Sequence, residues 1–430
     1  MHIYLSARLL TSDSRFSATD SRLLCYTDSM EKSITTMTFQ GDKSIAHRLV
    51  LSSLVFRRNI RIRNLPDGKD VATSLEIVQK LGVKACAEDS SIVLSSVSLP
   101  YSFPEDFITL DCKNSGTTAR LLCGILTNLN GRFRLVGDES LSKRPMERVV
   151  RPLADLMNVD IRSTDGHLPV LINAAAQAKA AEFENVTGSA QVKSAVLFAG
   201  LASSGRTSVK EATTSRDHTE RLLAYIAKNR DKKELDFDIP GDISSAAYFA
   251  VFAAITGKKV CLKNVLLNPT RTGFLNVLKR MGANIEEKLV SDTWEPIGDL
   301  IVCGGNLMAT DIKLEEIPSL IDELPILAIA MCFANGKSTV SGASELRVKE
   351  SDRIGCLISQ LRKVGVDCSE KSDGYEITGG GHFKIAELDS FKDHRLAMSF
   401  AIFAKCAGLQ INIKGRESTD ISFPEFWLYL

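Results

Sequence analysis

Residues 57–85, RRNIRIRNLPDGKDVATSLEIVQKLGVKA, and residues 257–285, GKKVCLKNVLLNPTRTGFLNVLKRMGANI, follow one plan. Each opens as a half-buried strand, crosses a polar loop and continues as an amphipathic helix. Each ends on a Gly, Gly82 or Gly282, where a helix C-cap is expected. Residues 336–366, GKSTVSGASELRVKESDRIGCLISQLRKVGV, repeat the plan and end at Gly365, and residues 144–161 and 205–228 carry weaker versions. Self-similarity at this period marks a repeat architecture and outranks any single local assignment.

Working outward, six unusually apolar helical stretches each begin after a short polar or charged cluster. The starts are expected near Ser44, Ser115, Ser189, Ser244, Ser319 and His394. A helix that is apolar all round must be buried. Its N-terminus still offers unpaired N–H groups and the positive end of its dipole, which attract anions. Six such ends in one cleft would hold phosphate and carboxylate. Three units before about Pro240 and three after it predict two similar domains, with the chain crossing between them at DFDIPGD, residues 236–242. The expected division is residues 31–42 with 241–430 in one domain and 43–240 inserted as the other. Residues 1–30 lack any period and read as a disordered extension, with Met30 or Met37 able to begin the folded part.

The composition limits the function. Across 430 residues, 53 basic side chains nearly cancel 52 acidic ones. That excludes the basic bias of a nucleic-acid binder, so any anion site must come from local arrangement. Ten scattered cysteines without a CxxC pair argue against a zinc site or disulfide framework and for reduced thiols in a cytoplasmic protein. No apolar run approaches the ~20 residues needed to cross a bilayer. The longest, around Leu324 to Ala334, reads as a core helix.

The polar clusters carry the chemistry. GDKSIAHR (41–48) puts Lys43, Ser44 and Arg48 at a helix start, where cations oppose the dipole unless an anion is to be held there. NSGTTAR (114–120) supplies an Asn-Ser cap and Gly116, which permits close backbone approach. In GDESLSKRPMERVVRPL (137–153), Lys143 and Arg144 precede Pro145 at an expected first helical position. SAQVKSA (189–195) and SRDHTE (215–220) follow; His218 reads there as a helix-surface residue. Asp322 and Glu323 open an apolar helix and are either caps or a base. Lys349, Glu350 and Arg353 crowd one turn, and His394 and Arg395 stand at the mouth of the last apolar helix. Cations in both halves, two carboxylates and one His, with no nucleophilic triad, Walker pattern or metal cluster, point to acid–base chemistry between two anionic small molecules.

These blocks, with PGDISSAAYF (240–249), NPTR (268–271), RVKESDR (347–353) and DHRLAM (393–398), resemble in order those of the 5-enolpyruvylshikimate-3-phosphate synthase family, in its class II form, over residues 38–430. The resemblance implies an α/β fold, an inside-out α/β barrel of two domains with three βαβαββ repeats each. It implies transfer of the enolpyruvyl group of phosphoenolpyruvate to the 5-hydroxyl of shikimate 3-phosphate by addition–elimination, as a monomer, without cofactor or metal. Carried over by position, Lys43, Asp322, Glu350 and His394 are the expected catalytic residues. Asp322 takes the hydroxyl proton, Glu350 handles the methylene proton, and His394 is an electrostatic helper. Lys43, Ser44, Arg48, Ser189, Ala190, Gln191, Arg216, Asp322 and Lys349 are expected on shikimate 3-phosphate. Lys43, Asn114, Gly116, Arg144, Gln191, Arg353 and Arg395 are expected on phosphoenolpyruvate, where the mimic glyphosate should also fit.

The departures are specific. Gln40 stands where the family has Pro and is expected to loosen the crossing strand. Ala190 replaces a second Ser, a Lys near the C-terminal FP is absent from TDISFP (419–424), and Glu345 holds a position with no assigned role. Two rivals remain: the sister transferase that acts on UDP-N-acetylglucosamine, whose reactive loop Cys is missing here near Asp138, and a non-catalytic binding protein on the same fold.

Overall fold

The computed structural model describes residues 34–95, 106–174, 177–186 and 188–430. The extension expected over 1–30 lies outside the described residues.

The internal repeat is plain in the sheets. Four are four-stranded and share one topology, a parallel pair followed by two antiparallel neighbours. Their strand orders are Glu234–Asp238, Asn59–Arg63, Ser91–Ser95, Lys84–Glu88; Ile108–Asp111, Arg132–Val136, His167–Asn173, Asp160–Thr164; Thr35–Met37, Val260–Leu266, Pro296–Cys303, Asn284–Asp292; and Asp311–Ile312, Lys337–Val340, Gly374–Thr378, Asp367–Lys371. Two further units are reduced to parallel pairs, Glu182–Glu184 with Ser208–Lys210 and Leu388–Asp389 with Ile413–Lys414. The six units of the sequence are therefore present, two of them with shortened sheets.

A buried helix makes the parallel crossover inside four of the units: Gly116–Ile125, Ala190–Ala199, Leu324–Cys332 and His394–Ala407. In the remaining two the partners are exchanged. Strand Thr35–Met37 leads into helix Lys43–Ser52 and strand Asn59–Arg63, yet pairs with Val260–Leu266. Strand Glu234–Asp238 leads into helix Ile243–Thr256 and strand Val260–Leu266, yet pairs with Asn59–Arg63. The chain must cross twice, and it does so at Gly41 and Gly241, which face each other across an antiparallel bridge. Asp42 N–H donates to the Pro240 carbonyl at 2.8 Å and Asp242 N–H to that of Gln40 at 2.9 Å. A Cβ on Gly41 would lie 2.1 Å from the Asn64 carbonyl oxygen, so only glycine passes. Gln40 does not loosen this crossing as expected: its backbone joins the bridge and its side-chain oxygen accepts Asp67 N–H at 3.1 Å.

Two of the six helices, Ile243–Thr256 and Leu324–Cys332, are buried because they are apolar on nearly every face, and the other four also bury polar side chains such as Arg48 and Lys193. All nine residues of Leu324–Cys332 are buried, as the sequence predicted. Leu327 is fully enclosed, and replacing it with Ala would cost about 2–5 kcal/mol. The outer helices are amphipathic, and Gly82, Gly282 and Gly365 close three of them with φ of 101°, 104° and 89°. In each case the Gly N–H reaches back three residues and the next N–H five, which is the Schellman cap.

Three local expectations are corrected. The fifth buried helix starts at Leu324 rather than Ser319, because Ile317–Ser319 and Ile321–Glu323 form two 3-10 turns first. Pro318 lies in the first of these turns and Pro325 in the first turn of the helix, and neither can donate to a preceding turn. Pro145 lies before the helix Glu147–Arg151 rather than at its first position. His218 is 1 % exposed and is not a surface residue.

Candidate active site

The first or capping residues of five of the six buried helices, and Asp322 two residues ahead of the other, line one cleft of about 490 Å³. Lys43 and Ser44, Gly116 and Thr117, Ala190 and Gln191, Asp242 and Ser244, Asp322, and His394 and Arg395 all reach it. The caps explain how cations are tolerated at these starts. Asp42 accepts Ile45 N–H at 3.0 Å, Ser115 Oγ accepts Thr118 N–H at 3.3 Å, and Asp393 accepts Arg395 N–H at 2.9 Å. The acidic caps restore the negative charge that the dipole favours, leaving the long basic side chains to reach beyond the helix.

Asp322 sits in a ring of cations. Arg216 Nη2 donates to it at 2.5 Å from across the cleft, Arg395 lies 3.6 Å away, Arg353 3.7 Å and Lys349 3.9 Å. Burial alone would raise its pKa, but Arg395, Arg216, Lys349 and Arg353 together hold it well below the ordinary carboxylate range. Glu350 is caged in the same way: Arg353 binds it at 2.6 Å and Arg144 approaches to 3.5 Å. Against burial, these two guanidinium groups and then Lys43 hold it down as well. Both groups are ionised carboxylates at neutral pH. Its neighbour Glu323, by contrast, is pushed up by burial and receives the Ser244 hydroxyl.

Several buried polar atoms around the cleft have no protein partner. The Nε atoms of Arg120, Arg144 and Arg148 and both ring nitrogens of His394 are buried and meet no hydrogen-bond acceptor. Buried polar groups are rarely left so. Burial, and then the charges of Arg148 and Arg144, bring the Arg120 guanidinium down to about 9, so it is still a cation at neutral pH. Burial, and then Lys43, push the His394 ring down to about 3. At pH 7 the ring is therefore neutral.

Fifteen of the expected site residues line the cleft together. Asn114 does not: it stands one layer back, accepting from Arg144 at 3.4 Å and donating to Asp138 at 2.7 Å. Arg48 lines the cleft but is engaged by the protein at three nitrogens, on Thr219 Oγ1, the Ser44 carbonyl and Ser194 Oγ, each at 2.8 Å. The sequence reading missed Asp70, which binds Lys43 Nζ at 3.0 Å, and Arg148, which meets Glu345 at 2.7 Å. Asp70 opens the helix Lys69–Lys80 in the first repeat and had no signal beyond that position. Among the described residues no group of His, Cys, Asp and Glu could hold a metal ion, and nine cysteines are free.

A six-unit α/β fold whose helix starts converge on two caged carboxylates defines an enzyme that handles anionic small molecules. The comparisons are specific. The family model for EPSP synthase (3-phosphoshikimate 1-carboxyvinyltransferase) matches residues 30–430, and the chain belongs to that family. The 3-phosphoshikimate 1-carboxyvinyltransferase of Nitratiruptor sp. is 40% identical over 413 residues, 91% of this chain and 94% of that one. That of Helicobacter pylori strain J99 is 40% identical over 415 residues, 91% of this chain and 96% of that one. The solved EPSP synthase of Acinetobacter baumannii superposes with a TM-score of 0.75 at 36% identity, covering 91% of this chain and 93% of that one.

Proposed function

We infer that the protein is a 3-phosphoshikimate 1-carboxyvinyltransferase, moving the enolpyruvyl group of phosphoenolpyruvate to the 5-hydroxyl of shikimate 3-phosphate and releasing phosphate. One observation carries this reading: Lys43, Asp322 and Glu350 share a cleft with guanidinium groups from both halves of the chain. Asp322, ionised, is the base for the attacking hydroxyl. Glu350 handles the proton at the phosphoenolpyruvate methylene, and Lys43 bridges the two substrates. Arg144, Arg353 and Arg395 take phosphoenolpyruvate beside Gly116 and Gln191. Ser44, Ser189, Gln191, Arg216 and Lys349 take shikimate 3-phosphate, with Ala190 beside them and Arg48 bracing Ser44 from behind. Phosphate and carboxylate are met by guanidinium forks and helix starts already in position, so most of the rate acceleration is electrostatic.

The reading extends to organisation. The chain divides into lobes of residues 31–42 with 241–430 and of residues 43–240, a division supported by the exchanged strands at Gly41 and Gly241. The protein works as a monomer in the cytoplasm. Phosphate release from the two substrates by the purified protein tests the reaction. Release with UDP-N-acetylglucosamine in place of shikimate 3-phosphate, or no release with either acceptor, would refute it. Among the described residues no cysteine lines the cleft, which counts against the sister transferase.

A further inference from the structure

Four sequence blocks leave residues that the reaction does not use, and those residues meet in one buried place. Arg271 of NPTR is 2 % exposed. Its Nη1 donates to Asp42 of GDKS at 2.8 Å and its Nη2 to Ser244 Oγ at 3.0 Å. The same Nη1 lies 3.3 Å from Nε2 of His218 of RDHTE. That contact fixes the ring proton on Nδ1, which donates to Glu295 Oε1 at 2.6 Å. Asn268, three residues before Arg271, donates to the other oxygen of Glu295 at 2.9 Å and to Asp217 at 2.6 Å. On the other side, Lys193 of SAQVK is 2 % exposed and holds Glu220 at 2.7 Å, Glu211 at 2.8 Å and the Ser215 carbonyl at 3.3 Å.

Arg216 lies between these two clamps. Residue 215 is tied to Lys193, and residues 217 and 218 are tied to Asn268, Glu295 and Arg271. The guanidinium that crosses the cleft to Asp322 therefore springs from a backbone fixed on both sides. A side chain as long as Arg gains little from its charge unless its root is held, because its rotamer freedom is large.

We propose that His218 and Arg271 are positioning residues that hold Arg216 in place for the acceptor's anionic groups. The claim rests on the reading of Arg216 as a shikimate 3-phosphate contact. His218 is off the cleft wall, so any effect of changing it on substrate affinity must travel through another residue. Arg271 needs a fork, since its two terminal nitrogens serve Asp42, His218 and Ser244 from one plane, and the point charge of Lys would not replace it.

The test compares His218→Gln, Arg271→Met and Arg216→Met in the full chain. It measures KM for each substrate, kcat and the melting temperature. Arg216→Met should raise KM for shikimate 3-phosphate. His218→Gln and Arg271→Met should raise it by roughly tenfold to a hundredfold, the penalty for about an ångström of misplacement, and leave KM for phosphoenolpyruvate nearly unchanged. If Arg271→Met does not fold, His218→Gln carries the test alone. An effect of Arg216→Met without one from His218→Gln overturns the positioning role and leaves the reading of Arg216 standing. No effect from Arg216→Met overturns both. Equal rises in the two KM values with a lowered melting temperature would make the network merely structural and also overturn the proposal.

Discussion

Gly116→Ala separates the needs of the fold from those of the site. Gly116 is the first residue of its helix, behind the Ser115 cap. A Cβ there would lie 2.9 Å from Arg120 Nη1 and 3.1 Å from Arg144 Nη1, where 3.4 Å begins ordinary contact. The two guanidinium heads must retreat by about 0.5 and 0.3 Å. Both are ends of flexible side chains, so the backbone need not move. At roughly a hundredfold per ångström of misplacement, half an ångström costs about tenfold, or about 1.4 kcal/mol. The loss falls on phosphoenolpyruvate, the substrate proposed for Arg144, and on glyphosate as its competitor. Stability moves the other way, because Ala is preferred over Gly in a helix by up to about 1 kcal/mol. Phosphate release at saturating shikimate 3-phosphate with phosphoenolpyruvate varied should show KM raised about tenfold, with the melting temperature unchanged or higher. An unchanged KM together with a lowered melting temperature would mean that the methyl group is felt by the fold and not by the site, and the reasoning would fail.

Glu350→Gln should reduce turnover by at least about a hundredfold, the usual lower bound for losing a proton-transfer group, and should lower the melting temperature at pH 7 by leaving Arg353 and Arg144 unscreened. The folded-state pKa of Glu350 lies well below 4.5, so its stabilisation is present above the unfolded value and is lost as pH falls through the folded one. The melting deficit should narrow in that acidic window; a constant deficit from pH 7 downward contradicts the cage. The pair Arg148–Glu345 joins opposite sides of the cleft with side chains 19% and 45% exposed, so solvent screening limits it. A double-mutant cycle with Arg148→Met and Glu345→Gln should give coupling of no more than about 1 kcal/mol, falling as salt rises; a larger coupling that ignores salt would make this a buried contact.

The repeat was legible because each unit must bury an apolar helix and end an outer one, and both demands write themselves into sequence. Gly82, Gly282 and Gly365 and the all-apolar run at Leu324 are local facts of backbone and burial. The catalytic clusters were legible for a related reason, since basic residues at helix starts contradict the dipole and so ask for an explanation. His218 was misread because its partners are far away in sequence: Glu295 is 77 residues on and Arg271 53. Nothing within the His218 helix distinguishes a buried polar face from a wet one. Arg148 was missed on similar grounds, its partner Glu345 lying 197 residues on, and Asp70 was missed because a pair between neighbouring helices, 27 residues from Lys43, has no period. The two shortened sheets also left no local signature.

The charge in the cleft ties the parts together. The chain as a whole carries +1. The cleft wall nonetheless holds ten Lys and Arg side chains against five Asp and Glu. The two substrates bring two carboxylates and two phosphate esters, each ester carrying about −1.5 to −2 at neutral pH, so the filled cleft is close to neutral. Neutrality matters for the proton transfers. At neutral pH the surrounding cations hold Asp322 and Glu350 ionised, which suits a base but not an acid. Once phosphoenolpyruvate oxygens engage Arg144 and Arg353, those cations no longer act on Glu350 alone. Its pKa must then rise toward, and with burial beyond, the ordinary value. The same relief reaches Asp322, because Arg395, Arg216, Lys349 and Arg353, which hold it down, are the groups proposed to take the two substrates. Both carboxylates are therefore poised to exchange protons only once the two anions are in place, since burial then outweighs cations that are already shared.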